Sequence, residues 1–330
     1  MNIAVIILNW NGKSLLEQFL PSVVKHSKEA QVYVADNASE DDSVAFLRKH
    51  YPQVKIIENE VNGGFAKGYN DALKHVEEEV FVLLNSDVEV TPNWLQALIT
   101  ELDNSPETAA VQPKIINWRK KNFFEYAGAA GGFIDRLGYP YCRGRMFETV
   151  EKDEGQYDDT VEIFWASGAC MMIRKKDFYA AGQFDEDFFA HQEEIDLCWR
   201  LYNQDRKVKA VGDSRVFHLG GGTLDSMHPQ KTFYNFRNSL YALLKNVPGK
   251  QVYFLLLGRL ILDGIAGIKF LAEGKAAHFT AILKAHFSFY SHFGLFLKKR
   301  KNLPKRRKYS NITSVVLAYY LRRRTKYSDL

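Results

Sequence analysis

A chain of 330 residues, 46% hydrophobic and 25% charged, is long enough for one large domain or two smaller ones and too apolar to be disordered. Its three cysteines, Cys142, Cys170 and Cys198, form no C-x-x-C pair, which argues against a disulfide framework or zinc site and for a reducing compartment. The net charge of +5 is unevenly placed: Lys298 to Leu330 hold twelve Lys/Arg and one acid, the remainder is net acidic, and the tail therefore points to anionic lipid rather than nucleic acid.

The chain opens on the apolar run 3–8, which lacks a basic flank and reads as a buried strand rather than a signal peptide. A helical pattern over 13–26 follows. Strand patterns at 32–35, 54–57 and 80–84 then alternate with helical ones at 41–50 and 66–77. Thr91-Pro92 has the form of an N-cap followed by Pro at the first helical position. This alternation predicts an α/β fold, a parallel sheet with helices on both faces, in which ligands bind beyond the carboxyl ends of the strands. Asn9 and Asn11, Asp36 and Asn37, and Asn85 and Asp87 stand at three such ends and define a candidate crevice.

Residues 117–160 mix glycines, aromatics and an acidic stretch at 151–159, and read as a hairpin or flap over the site. A strand is expected over 161–173 and a helix over 191–204. From about residue 240 the chain turns rich in Phe, Leu, Ile and Ala. The stretch 252–297 carries too many polar interruptions for a spanning helix and reads as amphipathic helix lying in a membrane interface, beside the basic tail. The alternative is helices packed on the preceding domain. The expected division is therefore 1–240 and 241–330.

Several residues have chemistry to offer. Asp87, just after a buried strand, is placed to hold Mg²⁺ or Mn²⁺ together with diphosphate oxygens, although an Asx turn would look the same. The segment 184–200 is dense in acids between aromatics. A helix there puts Glu193 and Asp196 on one face, pairs Asp196 with Arg200, and turns Glu194 about 100° away from Glu193. A carboxylate among aromatic walls has a raised pKa and suits general base work, whereas the plain reading is a solvated face with ion pairs. His218 precedes Gly220-Gly221-Gly222, a metal or phosphate ligand beside closely approaching backbone, and Arg237 follows as a phosphate clamp.

In order and spacing these pieces resemble the family 2 inverting glycosyltransferases of the GT-A fold, in particular the bacterial branch with rhamnosyl- and galactofuranosyltransferases. Ile6 to Asn11 resembles the opening strand and nucleotide-binding turn, and Val34 to Ser39 the second strand, whose Asp contacts the base. Asn62-Gly63-Gly64-Phe65-Ala66-Lys67-Gly68-Tyr69-Asn70 resembles the donor-site segment. Asn85-Ser86-Asp87 stands at the D-x-D metal motif, with Asn in place of its first Asp. Trp165, Ser167 and Gly168 resemble the acceptor-side strand, with Asp185 assigned to the same side. Glu193-Glu194 stands at the Glu-Asp pair whose second member is the base, with Glu in place of that Asp. His218-Leu219-Gly220-Gly221 and Arg237-Asn238 are similar to the diphosphate-side residues.

The resemblance covers roughly residues 3–240. It implies inverting transfer of a sugar from a UDP- or dTDP-sugar to a hydroxyl of a saccharide or lipid-linked saccharide, in cell-surface polysaccharide synthesis, at the cytoplasmic face of the membrane. Glu194 is the implied base, with Asp87 and His218 holding the metal. Two rivals stay open: a nucleotide-sugar pyrophosphorylase, whose basic Gly-rich loop Asn9-Trp10-Asn11-Gly12 does not supply, and a non-catalytic membrane-tethered subunit.

Overall fold

The computed structural model describes residues 1–220, 228–301, 303, 304, 306 and 308–330. The first half is β1 (Ile3–Asn9), α1 (Lys13–His26), β2 (Gln31–Asp36), α2 (Ser43–His50), β3 (Lys55–Glu58), α3 (Gly64–Leu73), β4 (Val80–Asn85), β5 (Val88–Val90), α4 (Trp94–Asn104) and β6 (Thr108–Asn117). Four short strands follow, β7 (Gly132–Ile134), β8 (Pro140–Cys142), β9 (Arg145–Met146) and β10 (Thr149–Val150). Next come β11 (Thr160–Ile163), β12 (Cys170–Arg174), α5 (Lys175–Ala180), α6 (Glu193–Asn203) and β13 (Lys207–His218). The chain ends in α7 (Pro229–Asn246), α8 (Gln251–Ala272), α9 (Ala276–Lys301) and α10 (Val315–Tyr320).

Among the described residues a nine-stranded sheet runs β11-β13-β6-β12-β4-β1-β2-β3, with β5 added to β13. β1 lies between β4 and β2 in parallel register, which aligns Asn9 with Asp36 and Leu8 with Asn85. The carboxyl ends of three strands thus share one edge, as the alternating pattern predicts. β12 runs antiparallel between β4 and β6, and β13 pairs parallel with β6, bringing His218 opposite Val88 of β5 and beside the same edge. Two apolar clusters fill the two faces of the sheet. One packs α1 and α4 on Val5, Ile7, Val82 and Leu84, the other packs α3 and α6 on Ala4, Ile6, Phe81 and Leu83. Alternate strand residues face opposite sides, so continuous apolar runs are what a doubly covered sheet requires.

Local expectations change in four places. α4 begins at Trp94, with Asn93 in the left-handed region as its cap. The Thr91 hydroxyl instead donates to the Arg215 carbonyl on β13 at 2.8 Å. The strand expected over 161–173 breaks into β11 and β12, because the Trp165 indole N–H is drawn to the Phe133 carbonyl at 2.8 Å and Ser167 turns the chain. The 117–160 flap is a packed four-stranded sheet of its own, β7 to β10. Its acidic neighbour holds the buried Lys114 through Asp153 and Asp158. Finally, position 240 falls inside α7, which runs on to Asn246.

Much of the basic tail is folded back on the body. Lys299 pairs with Asp185 and Asp187, Arg300 donates to the carbonyls of Leu244 and Gly249, and Val315 N–H donates to Asp135. Tyr327 packs on Phe133 and Tyr157. The Lys299 and Arg300 donors thus find their partners on the domain.

Candidate active site

At the β1–β2 edge the polar side chains bond one another. Asn9 Nδ2 donates to Asp36 Oδ1 at 3.0 Å, and the Ser39 N–H donates to Asp36 Oδ2 at 2.9 Å. Asn11, at φ 48°, accepts from Glu40 N–H and donates its own N–H to Ser39 Oγ. Asn37 Nδ2 donates to Asn62 Oδ1 and to the Gly64 carbonyl, and Asn59 Nδ2 donates to Asn37 Oδ1. The turn 62–64 that opens α3 is thereby fixed. Gly68 is required there, since a Cβ would meet the Asn37 amide at 2.9 Å. These interlocked amides hold the strand ends rigid without spending water-exposed groups.

Asp87 sits one turn beyond β4, with Ser86 in the turn and the Asn85 N–H donating to the Ala169 carbonyl. It meets His218 from the end of β13: Asp87 Oδ1 lies 3.1 Å from His218 Nε2, and His218 Nδ1 lies 3.2 Å from Glu125 Oε2. Burial alone would lower the His218 imidazolium, but Asp87 and Glu125 outweigh it and hold it at about 10. Glu125 is itself kept ionised: burial raises its pKa, and His218 more than offsets that. The two carboxylates thus stabilise the protonated ring, and a metal ion bound here would take the place of the Nε2 proton.

That donor set fits a divalent ion. One carboxylate oxygen and one imidazole nitrogen converge, and a second carboxylate orients the ring from behind, as in many metal sites. Among the described residues no group of three or more His, Cys, Asp or Glu side chains forms a cage, so a donor diphosphate and water must supply the other ligands. Glu125 was not singled out from the sequence. It lies in the irregular stretch 117–160, where no motif marks it, and only the fold brings it behind His218. Gly221 and the rest of the glycine run lie outside the described residues.

The second half of the site is the segment leading into α6. Phe189, His191 and Gln192 have φ of 64°, 69° and 68°, a run that side chains with a Cβ adopt only under constraint. Asn238 of α7 supplies that constraint by donating Nδ2 to the carbonyls of Phe188, Ala190 and His191 at 3.0, 2.9 and 2.7 Å. Arg237 bonds Asn238 Oδ1 and the carbonyls of Asp187 and Phe188, and packs among Phe233, Tyr234 and Tyr241. These bonds tie the segment to α7. The Phe189 carbonyl accepts the N–H groups of Phe65 and Ala66, and a Cβ on Gly64 would meet Phe189 at 2.7 Å. The segment carrying Glu193 and Glu194 is therefore clamped to the start of α3, the donor-side turn.

Glu193 is buried and Glu194 half-buried, and one oxygen of each has no hydrogen-bond partner among the described residues. Burial raises both carboxyls. It takes Glu194 to about 7, and Glu193, which also feels the charge of Glu194, well above the usual range. Asp196 lies in a charge cluster with Arg200, Lys245 and Asn246, so the i, i+4 pair with Arg200 forms as the helical spacing requires. Asp185 joins that cluster through Lys245 and Lys299. Burial opposes its ionisation, but the two ammonium groups bring its pKa down to about 2.

The other named residues act as supports in this structure. Asn70 exchanges hydrogen bonds with the backbone of Phe184, tethering the segment to α3. Ser167 is buried, with its N–H on Gln112 Oε1 and its hydroxyl on the Ala127 carbonyl. Gly168 lies against Phe65, and Gly63 against Lys67. Ala166 N–H meets Cys198 Sγ, so the Trp165–Gly168 turn lies along α6.

The glycosyl transferase family 2 sequence model matches residues 4–181, more than half of the chain. The chain belongs to that family and is a glycosyltransferase with a GT-A-like fold. It is 25% identical over 233 residues to an N-acetylglucosaminyl-diphospho-decaprenol L-rhamnosyltransferase of Mycobacterium tuberculosis, covering 65% of this chain and 75% of that one. To the dTDP-rhamnosyl transferase RfbF of Shigella flexneri it is 24% identical over 264 residues, covering 74% and 81%. The solved mannosyltransferase PcManGT from Pyrobaculum calidifontis, in complex with GDP-Man and Mn²⁺, superposes with a TM-score of 0.54 at 14% identity over 88% of this chain and 87% of that one.

Proposed function

We propose that this enzyme transfers a sugar, with inversion, from a pyrimidine nucleotide sugar to a hydroxyl of a lipid-linked saccharide in cell-surface polysaccharide synthesis. The observation that carries the reading is the clamp of the Glu193–Glu194 segment onto the donor turn at Gly64–Ala66, which sets a base beside a nucleotide crevice. Glu194 takes the proton of the acceptor hydroxyl. The acceptor oxygen bonds to the anomeric carbon as the carbon–oxygen bond to the diphosphate breaks, and the nucleoside diphosphate leaves with that electron pair. Asp87 and His218 would hold Mg²⁺ or Mn²⁺, which supplies charge neutralisation on the leaving diphosphate. Glu125 holds the His218 ring in place.

Asp36, whose oxygens each accept one hydrogen bond inside the protein and keep further lone pairs, can meet the N3–H of uracil or thymine. The name of the dTDP-rhamnosyl transferase it resembles agrees. Hydrolysis of a panel of nucleotide sugars, read by mass spectrometry, tests the donor. Turnover of UDP- or dTDP-sugars is expected, and turnover confined to GDP-sugars would overturn the assignment. The lipid-linked acceptor draws on the decaprenol-linked acceptor named for the mycobacterial relative. Among the described residues no helix is long and apolar enough to cross a membrane.

A further inference from the structure

α8 is apolar on both sides. A helix on a water-facing surface turns its apolar stripe inward and its charges outward. Here Val252 and Leu256 are buried in the core as expected, but Arg259 and Asp263 are buried beside them, 3% and 0% exposed, while Phe254 and Ile268 point outward, 79% and 65% exposed. The outward residues Phe254, Leu257, Ile261, Ile265 and Ile268 are spaced by 3, 4, 4 and 3 positions, a single stripe down the helix. The stripe runs for roughly 21 Å along this 22-residue helix. The inward charges are fully used. Arg259 bonds Asp263, Ser239 Oγ and the Leu137 carbonyl and lies over the Tyr139 ring, while Tyr139 and His286 complete Asp263. The helix is thus locked in this orientation by polar bonds, and the exposed stripe follows from that lock.

The stripe continues onto its neighbours. α9 adds exposed Leu283, Phe287 and Tyr290, spaced by 4 and 3 positions. At the far end of α8, Lys269 lies 5.1 Å over the ring of Tyr320 on α10, and Leu321 follows, 75% exposed. The rim is basic. Lys250 at the start of α8, Lys269, and Arg322, Arg323 and Arg324 after α10 are exposed. From Lys250 to Leu330 the sequence holds seventeen Lys/Arg against three acids, one of them the buried Asp263. A second copy seated on this face would bring like charges together, whereas an anionic headgroup layer supplies the opposite charge and a layer of acyl chains beneath it.

We propose that the outward face of α8, extended by α9 and α10, is the surface on which the enzyme docks to an anionic bilayer, with α8 lying in the plane of the interface. In purpose this rests on the lipid-linked acceptor proposed above. In geometry it rests only on the exposed apolar stripe and its basic rim.

The test is flotation of the full chain with phosphatidylcholine vesicles, with and without phosphatidylglycerol, at low and high salt. Full-length protein is expected to float with the anionic vesicles and to release in part at high salt. Ile261→Asp and Ile265→Asp, each pointing to solvent, should lower partitioning about tenfold apiece. Far-ultraviolet circular dichroism and donor hydrolysis should be unchanged, which separates lost docking from lost folding. Absence of flotation by the wild type would overturn the proposal, as would flotation indifferent to both substitutions, or a dimer that Ile265→Asp dissociates without any vesicle binding. A protein that floats but transfers no sugar leaves the docking face standing and removes the transfer reading. Transfer to a soluble acceptor without flotation does the reverse.

Discussion

The two walls of the crevice treat polar atoms differently. On the β1–β2 wall, Asp36 and Asn37 bond Asn9, Ser39, Asn59 and Asn62, and only Asn9 Oδ1 is left buried without a partner. On the α6 wall, His191 Nε2 and one oxygen each of Glu193 and Glu194 are sequestered with no hydrogen-bond partner among the described residues. Leaving such a group unmet costs about 1–3 kcal/mol. Asn238 and Asn70 hold that segment in place. The first wall meets its polar atoms internally, and the second leaves carboxylate oxygens open to the acceptor hydroxyl that the proposed function brings there.

The sharpest way to break this contrast is to remove the proposed base. Glu194→Gln keeps shape and burial but cannot accept a proton, and kcat should fall about 10²- to 10⁴-fold with donor binding intact. Steady-state kinetics beside calorimetric donor titration checks it. A near-normal Glu194→Gln alongside a dead Glu193→Gln would move the base by one residue. Asp87→Asn comes next. It removes charge from the cation point while keeping size, and should cost about 10²- to 10³-fold in kcat, as for loss of one charge-stabilising group. Mn²⁺ titration followed by electron paramagnetic resonance should show weaker binding, and retention of both activity and metal would refute the role.

Why the two walls differ in how readable they were follows from the same contrast. The strand ends at Asn9, Asp36 and Asn85 are local: each depends on a few consecutive residues and the parallel register, so pattern and spacing reach them, whereas the turn at Asn62–Gly64 was reached only through the family resemblance. Glu125 is reached by neither, because its meaning comes from His218, ninety-three positions later, and no short-range pattern encodes that meeting. Thr91 misled for a related reason. A hydroxyl before Pro is a good local cap, but its partner turned out to be a carbonyl on β13. The exposed stripe of α8 was half visible. The mixture of Leu, Ile and Phe with Arg259 and Asp263 reads as interrupted hydrophobicity until the fold shows which of them face inward.

A smaller effect follows from the pKa of Glu194. Burial raises it from the ordinary 4.5 to about 7. The base works only when ionised, so kcat should drop about tenfold per pH unit below that value and level off above it. Stability carries the opposite sign. Between the unfolded and folded values the folded state binds more protons, so the contribution of Glu194 is present at acid pH and is lost as pH rises through about 7. Glu194→Gln should therefore gain stability relative to the wild type at pH 8 and not at pH 4. Paired denaturant titrations read this, and identical pH dependence in both proteins would deny the buried ionisation.

The finest test sets one asparagine against another. Asn37→Ala removes bonds to Asn59, Asn62 and the Gly64 carbonyl on the β1–β2 wall, and Asn238→Ala removes those to Phe188, Ala190 and His191 on the α6 wall. Both side chains are buried amides whose loss strands polar atoms, so each should cost about 1–3 kcal/mol in denaturant stability. Their kinetics should nevertheless part. Asn37 shapes the turn that receives the donor, so its loss should raise the donor KM a few-fold and leave kcat nearly unchanged. Asn238 holds the three carbonyls of a strained turn one step before Glu193, so its loss should lower kcat a few-fold with donor KM nearly unchanged. Equal stability loss with divergent kinetics would separate the walls by function. If both variants merely raised KM, the Asn238 clamp would be a structural brace with no bearing on where the base stands.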